Sequence, residues 1–197
     1  MVHPATDSEA SAQRRFTVAE YHRMAETGVL SPDEGVELIR GVVRAVSPKN
    51  RAHVIATRRV FNILVKALEG RASVYKEDPL VMTELDSEPE PDVLVCSNPD
   101  FEAYGTELTT PLLVVEVAGS SLPGDLGDKA TLYAEAGIPE YWVVNLLDRA
   151  LVVFREPRDG SYRLRSTSPP GARVTPLSWP DVEVEVASLF PADTSGD

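Results

Sequence analysis

One run of apolar residues, from Pro111 to Val117, limits the folds that this chain can adopt. A run without polar alternation is typical of a strand that is covered on both faces, at the centre of a sheet. Glu116 interrupts the run, and a carboxylate in such a strand is costly to bury unless it is paired or bound to a metal ion. The run therefore predicts a sheet covered by helices, and Glu116 is either a functional residue or half of a salt bridge.

The rest of the chain supplies the helices and strands that such a sheet requires. A capping box of Thr17 and Glu20 predicts a first helix to about Glu26, and two longer helices are predicted over residues 50–69 and 122–136. Strands are predicted over residues 38–46 (with a bend at Gly41), 74–81 (one or two short strands), 92–96, 141–145, 151–155 and 162–165 (an edge strand). This order predicts an α/β fold, with a mixed sheet flanked by helices.

The length and composition fit a single globular domain. With 197 residues, of which 43% are hydrophobic and 25% charged, the chain can bury a sizeable core, and disorder is excluded as its main state. We expect one domain over residues 16–193, between a flexible segment (1–15) and a frayed tail (194–197). No apolar stretch approaches the ~20 residues of a membrane span, and the first residues lack the apolar core of a signal peptide. The sequence therefore predicts a cytoplasmic protein without a membrane partner.

Charge is unevenly distributed along the sequence. A net charge of −12 opposes binding to nucleic acid, because phosphates are contacted by lysine and arginine. Residues 40–76, however, contain nine Lys or Arg and one acid, whereas residues 77–92 contain seven acids and no base. The acids form either a metal site or a solvated loop. The outer face of the second helix carries candidate contacts for a nucleic-acid backbone, or only a solvated basic face: Arg51, Arg58, Arg59 and Lys66.

Two further charged residues stand at unusual places in the pattern. Asp92 follows the stiff segment Glu88-Pro89-Glu90-Pro91 and opens a strand, where a plain turn residue is the alternative. Lys129 shares one helical face with residues that should pack on the sheet: Leu122, Leu126, Tyr133 and Ala136. Its ammonium either extends into water or has a partner inside, and Asp125, four residues earlier, is a candidate partner.

Asp92, Glu116 and Lys129 together suit one kind of chemistry. Carboxylates on two neighbouring strands can supply oxygens to one Mg²⁺, which prefers few carboxylates, several waters and a phosphate oxygen. A nearby ammonium can orient or deprotonate the attacking water and offset charge in the transition state. The three residues therefore predict a site for phosphodiester hydrolysis.

The order of the motifs resembles a known superfamily. Glu90-Pro91-Asp92 followed by Val115-Glu116-Val117 resembles the PD…(D/E)XK core of restriction-endonuclease-like nucleases. Over about residues 16–156 the chain resembles the bacterial Uma-type restriction endonuclease family, long catalogued as a domain of unknown function. The other segments that carry this resemblance are Glu37-Leu38-Ile39-Arg40-Gly41, Ser47-Pro48, His53, Asp125, Lys129, Tyr133, Gly137 and Glu140-Tyr141-Trp142.

The resemblance implies a restriction-endonuclease-like core and an endonuclease that uses Mg²⁺ or Mn²⁺. It implies that Asp92, Glu116 and Glu37 bind the metal and that Lys129 is the catalytic lysine. The chain departs from the superfamily at Ala118, two residues after Glu116, where the lysine usually stands. The resemblance implies that Lys129 reaches the same point from the next helix. DNA is the expected partner, and a homodimer is expected because cutting both strands often uses two copies.

One residue and two other functions stay open. His53 faces inward on its helix and is either a core histidine or, like Asp125, an accessory residue of the site. A non-catalytic binding module with the same fold is favoured by the net charge and by Ala118. A glycosidase with two carboxylates is disfavoured, because sugar sites commonly use aromatic platforms and because Lys129 would have no role. Metal binding separates the nuclease from the binding module.

Overall fold

The structure, a computed structural model, describes residues 13–31, 33–97 and 111–192. Within these ranges the helices are α1 (Val18–Glu26), α2 (Arg51–Ala67), α3 (Leu122–Gly124) and α4 (Ala130–Glu135), with a π-helical turn at Asp125–Lys129 and 3₁₀ turns at Thr83–Leu85 and Val186–Leu189. The strands are β1 (Val36–Ile39), β2 (Val42–Ala45), β3 (Ser73–Tyr75), β4 (Val93–Cys96), β5 (Leu113–Ala118), β6 (Glu140–Asn145), β7 (Ala150–Arg158), β8 (Ser161–Ser168), β9 (Arg173–Val174) and β10 (Val184–Glu185).

A six-stranded mixed sheet in the order β3-β4-β5-β6-β7-β8 forms the centre. β5 and β6 are parallel, and the other neighbouring pairs are antiparallel. The helical segment from α3 to α4 is the crossover that a parallel pair needs. β5 lies third in the sheet and all its residues are buried, so the interpretation of the apolar run as a central strand is confirmed.

Alternating side chains of β5 face two apolar layers. Val115 and Val117 belong to the cluster that packs under α2, whereas Val114 and Ala118 belong to the cluster that packs under α4. Glu116 therefore points from the sheet towards the α4 side, into a layer that is otherwise apolar. The predicted mixed sheet with helices on both faces is confirmed.

The prediction of one strand over residues 38–46 is wrong, because this segment is a hairpin. β1 and β2 pair antiparallel and lie outside the main sheet. Arg40 and Gly41 have φ values of 50° and 74°, as in the two-residue turns that join such strands. A side chain at position 41 would also collide with the backbone before α1, since its Cβ would lie 2.9 Å from the Phe16 oxygen. The hairpin carries Glu37 on β1, on the side of the main sheet where Glu116 points.

The predicted helix over residues 122–136 is interrupted. Its middle, Asp125–Lys129, is π-helical, and regular α-helix resumes at Ala130. Single π-helical turns inside helices are rare and occur often at functional sites. This turn contains both charged residues that the sequence singled out on the helix, Asp125 and Lys129.

Two other predictions from the sequence agree with the structure. The capping box of Thr17 and Glu20 opens α1, and the edge strand predicted over residues 162–165 is the longer β8. The predicted flexible segment (1–15) and frayed tail (194–197) lie almost entirely outside the described residues, so the domain limits stay a prediction. Among the helices in the described part of the chain, none has the length and apolar character needed to span a membrane.

Candidate active site

A cavity of about 290 Å³ lies beside the ends of β4 and β5, under the β1–β2 hairpin. The loop before α2, the loop after β5 and the π-helical turn complete its wall. It brings together six residues that the sequence singled out over a span of almost one hundred positions: Glu37, His53, Asp92, Glu116, Asp125 and Lys129.

Lys129 is held inside the cavity by two carboxylates. Its Nζ lies 2.9 Å from Glu116 Oε1 and 3.2 Å from Glu37 Oε2, and its side chain is only 15% exposed. The hydroxyl of Tyr133, one helical turn later, donates to the same Glu116 oxygen at 2.8 Å. Lys129 therefore has partners inside, and the alternative of an ammonium extending into water is wrong.

Asp92 is held by β5 and by α2. The backbone N–H of Val117 donates to Asp92 Oδ2 at 2.8 Å, and the Thr57 hydroxyl donates to Oδ1 at 3.3 Å. His53 Nε2 lies 3.2 Å from Oδ2, so His53 contacts Asp92 from the first turns of α2. Only 3% of Asp92 is exposed. The alternative of a plain turn residue is wrong, because this carboxylate is fixed at the base of the cavity.

The carboxylates of the cavity carry more negative charge than Lys129 offsets. Burial, opposed by the charge of Lys129 and assisted by Asp125 and Asp92, raises the pKa of Glu116 to about 8. Burial also raises the pKa of Asp125, against a hydrogen bond from Ser121 and the charge of Lys129. For Lys129, burial opposes the charged form, but Glu116, Glu37 and Asp125 outweigh it and raise its pKa. Such a site favours an additional cation.

The donor set fits a hard divalent cation bound through two carboxylates. Among the described residues, no three His, Cys, Asp or Glu side chains are grouped to hold a metal ion. Asp92 and Glu116 nevertheless belong to neighbouring strands, since Val93 pairs with Val115. Mg²⁺ is usually held by one or two carboxylates, with waters and substrate phosphates as its other ligands. The pair fits that requirement, and Lys129 contacts both Glu116 and Glu37.

Comparison with known proteins shows the family of the chain. A model of the family Uma2, described as "Putative restriction endonuclease", matches residues 18–187. The chain belongs to the Uma2 family. This membership confirms the resemblance that the motifs suggested, and it supports a nuclease.

A solved structure shows the same fold at low sequence identity. The crystal structure of a "putative nuclease belonging to DUF820" from Anabaena variabilis has a TM-score of 0.69 and 16% identity, over 84% of this chain and 95% of that chain. A match to the type IIG restriction endonuclease BpuSI has a TM-score of 0.38 and 18% identity, over 56% of this chain and 12% of that chain, and is too distant to carry an argument. No curated protein matches the chain. The restriction-endonuclease-like fold of this Uma2 family member is thereby confirmed.

Sequence reasoning missed two cations at the cavity, Arg44 at its rim and Lys49 beside Asp92. Lys49 Nζ lies 3.9 Å from Asp92 Oδ1 and donates to Glu77 Oε1 at 2.7 Å. The sequence marked Lys49 only as one of nine bases in a basic stretch. Its position in the loop just before the helix that carries His53 was the available signal.

The four predicted backbone contacts form a separate surface. Arg51, Arg58 and Lys66 are exposed on α2, and Arg59 donates to the Ser188 carbonyl at 3.3 Å. These four side chains are not among the residues that line the cavity. Their role in binding nucleic acid stays a prediction about the outer face of α2.

Proposed function

We propose that this member of the Uma2 family is an endonuclease that hydrolyses phosphodiester bonds of DNA with Mg²⁺ or Mn²⁺. One observation carries the proposal: two buried carboxylates from neighbouring strands share a cavity with a half-buried lysine. Asp92 and Glu116 would hold the metal ion, which would supply Lewis-acid activation of the phosphate and of a water molecule. The remaining chemistry belongs to side chains of the chain itself.

Asp92 gives the site a fixed carboxylate. The Val117 N–H and the Thr57 hydroxyl occupy one lone pair on each of its oxygens and leave the others available. Because these donors come from a central strand and a long helix, the carboxylate does not have to be ordered when substrate binds. His53 restricts it from a third direction, which is the accessory role proposed for this residue.

Lys129 positions the attacking water and offsets charge that develops on the phosphate. The neighbouring carboxylates keep it protonated, so it acts as a hydrogen-bond donor and does not accept the proton of the water. It also supplies the positive charge that Ala118 cannot provide. Its contact with Glu116 supports the proposal that a lysine of the following helix replaces the one expected two residues after Glu116.

Glu37 acts mainly through Lys129. Its carboxylate holds the ammonium from the β1–β2 hairpin, on the other side from Glu116. We therefore propose a positioning role for Glu37, and its predicted role as a third metal ligand becomes the weaker assignment. Asp125 contributes negative charge from the π-helical turn and attracts the cations of the site.

The proposal is tested with the variant Asp92→Asn. Wild-type protein is expected to bind Mg²⁺ or Mn²⁺ in titration calorimetry and to nick a supercoiled plasmid, and the variant is expected to lose both activities. Asp181→Asn is a matched control, because Asp181 is an exposed acid paired with Arg71 outside the cavity. Cleavage by Asp92→Asn at the wild-type rate would overturn the proposal.

A second candidate function is a non-catalytic binding module. The net charge of −12 and the presence of Ala118 at the usual lysine position favour it. Wild-type protein that neither binds metal nor cuts DNA or RNA would select this alternative. A homodimer and a cytoplasmic location stay predictions of the sequence.

A further inference from the structure

Lys49 lines the cavity and belongs to a chain of ion pairs with Glu77 and Lys76. Glu77 lies between two lysines: its Oε1 accepts from Lys49 at 2.7 Å and its Oε2 accepts from Lys76 at 2.8 Å. One carboxylate shared by two ammonium groups leaves these three residues with one excess positive charge, and Asp92 is a second acid near Lys49. Lys49 lines the cavity, whereas Lys76 is not among its lining residues.

The position of Lys49 relative to Asp92 suggests a use for that charge. Its Nζ is 3.9 Å from Asp92 Oδ1, which is close enough for attraction and too far for a short hydrogen bond. The side chain is 32% exposed, so solvent and substrate can reach it. Lys49 therefore stands beside the proposed metal carboxylate without occupying it.

The surrounding backbone favours an anion at the same place. Asn50 and His53, in the first turns of α2, line the cavity next to Lys49, and the first turn of α2 contains no acid. The positive end of the helix dipole thus adds to the lysine charge. On the other side of Lys49, the backbone N–H of Glu77 donates to the carbonyl oxygen of Asp92 at 3.2 Å, which ties Glu77 to the strand that carries the site.

From these contacts we propose that Lys49 binds a phosphate of the nucleic-acid substrate on the Asp92 side of the cavity, and that Glu77 positions Lys49. This inference rests on the proposed nuclease function and names a substrate-binding residue for it. Lys129 would then contact the phosphate backbone beside Glu116, and Lys49 would contact it beside Asp92. The four basic residues on the outer face of α2 are not needed for this contact.

The test compares two lysines that share one carboxylate. Lys49→Met and Lys76→Met each remove one charge and one partner of Glu77, but only Lys49 reaches the cavity. Binding of a short fluorescein-labelled DNA duplex is measured by anisotropy over a range of salt concentrations, with Ca²⁺ replacing Mg²⁺ to limit cleavage. Loss of one phosphate contact lowers the slope of log K against log salt by about 0.9.

We expect Lys49→Met to weaken DNA binding about tenfold and to lower the slope of log K against log salt by about 0.9, the value for one phosphate contact. Lys76→Met is expected to stay within about twofold of wild type, and Lys49→Arg to restore most of the affinity. Glu77→Gln should weaken binding less than Lys49→Met, and the double variant Lys49→Met/Glu77→Gln should be no weaker than Lys49→Met, because Glu77 acts through Lys49.

Two results would overturn the inference. If Lys49→Met keeps the wild-type slope, or if Lys76→Met lowers the slope equally, the effect of Lys49 is not a specific phosphate contact. A purely structural role would appear as a lower melting temperature of Lys49→Met with unchanged DNA affinity. Wild-type protein that neither binds nor cuts DNA or RNA would overturn the proposed function itself, and that result is distinguishable because it does not depend on position 49.

Discussion

Glu116 and Glu140 are buried carboxylates on two parallel neighbouring strands, and their surroundings differ. Glu140 accepts hydrogen bonds from Arg155 Nε at 2.8 Å, from Trp142 Nε1 at 2.8 Å and from the Leu177 N–H at 2.6 Å. All three neighbours are donors, so Glu140 links β6, β7 and the segment that follows β9. Glu116 also has a cationic partner, but it shares its surroundings with other carboxylates.

This difference separates a structural ion pair from a functional one. Glu140 is fully buried and has donors on both oxygens, so it fixes a junction between strands. For Glu116, burial together with the charges of Asp125 and Asp92 outweighs the attraction of Lys129, so its charged form is unfavourable without a further cation. Natural proteins often accept such a cost at functional sites, where unfavourable charge is offset by ligand. Convergence of like charges on a cavity, and not burial alone, is what distinguishes Glu116.

The largest expected effect is that the same substitution, Glu to Gln, lowers activity at position 116 and stability at position 140. Glu116→Gln should lower the rate of plasmid nicking by about 100-fold or more, because one metal ligand is lost. Its stability should change little, since the raised pKa of Glu116 leaves it mostly protonated near pH 7 and Lys129 keeps Glu37 as a partner. Glu140→Gln should instead cost about 3 kcal/mol of unfolding free energy, because the charge of Arg155 loses its partner. Urea unfolding and nicking rates, normalised to folded protein, measure both.

The distinction between Glu116 and Glu140 would be contradicted if Glu116→Gln and Glu140→Gln behaved alike. Equal losses of stability in both would show that Glu116 is a structural residue like Glu140. Full nicking activity in Glu116→Gln would remove it from the site, whatever its effect on stability.

The stability of the protein and its affinity for Mg²⁺ should both depend on pH through Glu116. Since burial, with Asp125 and Asp92, raises its pKa from 4.5 to about 8, the folded state binds this proton more tightly than the unfolded chain does. The contribution of Glu116 to stability is therefore greatest at low pH and is lost as pH rises from about 4.5 to 8, by up to about 1.4 kcal/mol per pH unit. Mg²⁺ displaces the proton, so its affinity should rise over the same window.

Comparing wild type with Glu116→Gln isolates this contribution from the other titrating groups. Urea unfolding at pH 5.5, 6.5 and 7.5 without metal should show a steeper fall of stability for wild type than for the variant. Parallel curves for the two proteins would contradict the raised pKa. Calorimetric titration of wild type with Mg²⁺ in buffers of different ionisation enthalpy reports the released proton directly.

Much of the fold and of the site could be predicted because the signals are local. The apolar run of β5 identifies the central strand, and the charge of Glu116 within it is anomalous without any knowledge of contacts. The capping residues of α1 and α2 lie beside the helices that they open. Asp92 and Lys129 stood out for the same reason, since each departs from the pattern of its own element.

The features that were missed depend on contacts between distant residues or on unusual backbone. Arg40 adopts a positive φ that its residue type does not announce, so the β1–β2 hairpin was read as one strand. The π-helical turn has no reliable pattern in a single sequence. Lys49 gains its meaning from Glu77 and Asp92, which lie 28 and 43 positions away. No local pattern reports those distances.

The smallest predicted effects separate two links between the hairpin and the helical crossover. Glu37 on β1 holds Lys129 inside the cavity, whereas Arg44 on β2 pairs with Asp128 at its rim, with side chains 43% and 64% exposed. Glu37→Gln should lower the nicking rate about tenfold with little change in Mg²⁺ affinity, because it loosens the lysine and not the metal ligands. Asp128→Asn is the matched control and should change stability by less than about 0.5 kcal/mol, because exposed ion pairs contribute little.

The measured pattern decides what Glu37 does. A large loss of Mg²⁺ affinity in Glu37→Gln would restore its assignment as a third metal ligand, as the family resemblance implied. An equal loss of nicking activity in Asp128→Asn would mean that activity requires the whole hairpin to be anchored to the crossover. The contact between Glu37 and Lys129 would then have no special role. Only a rate defect confined to Glu37→Gln, with metal binding intact, identifies a residue that acts through Lys129.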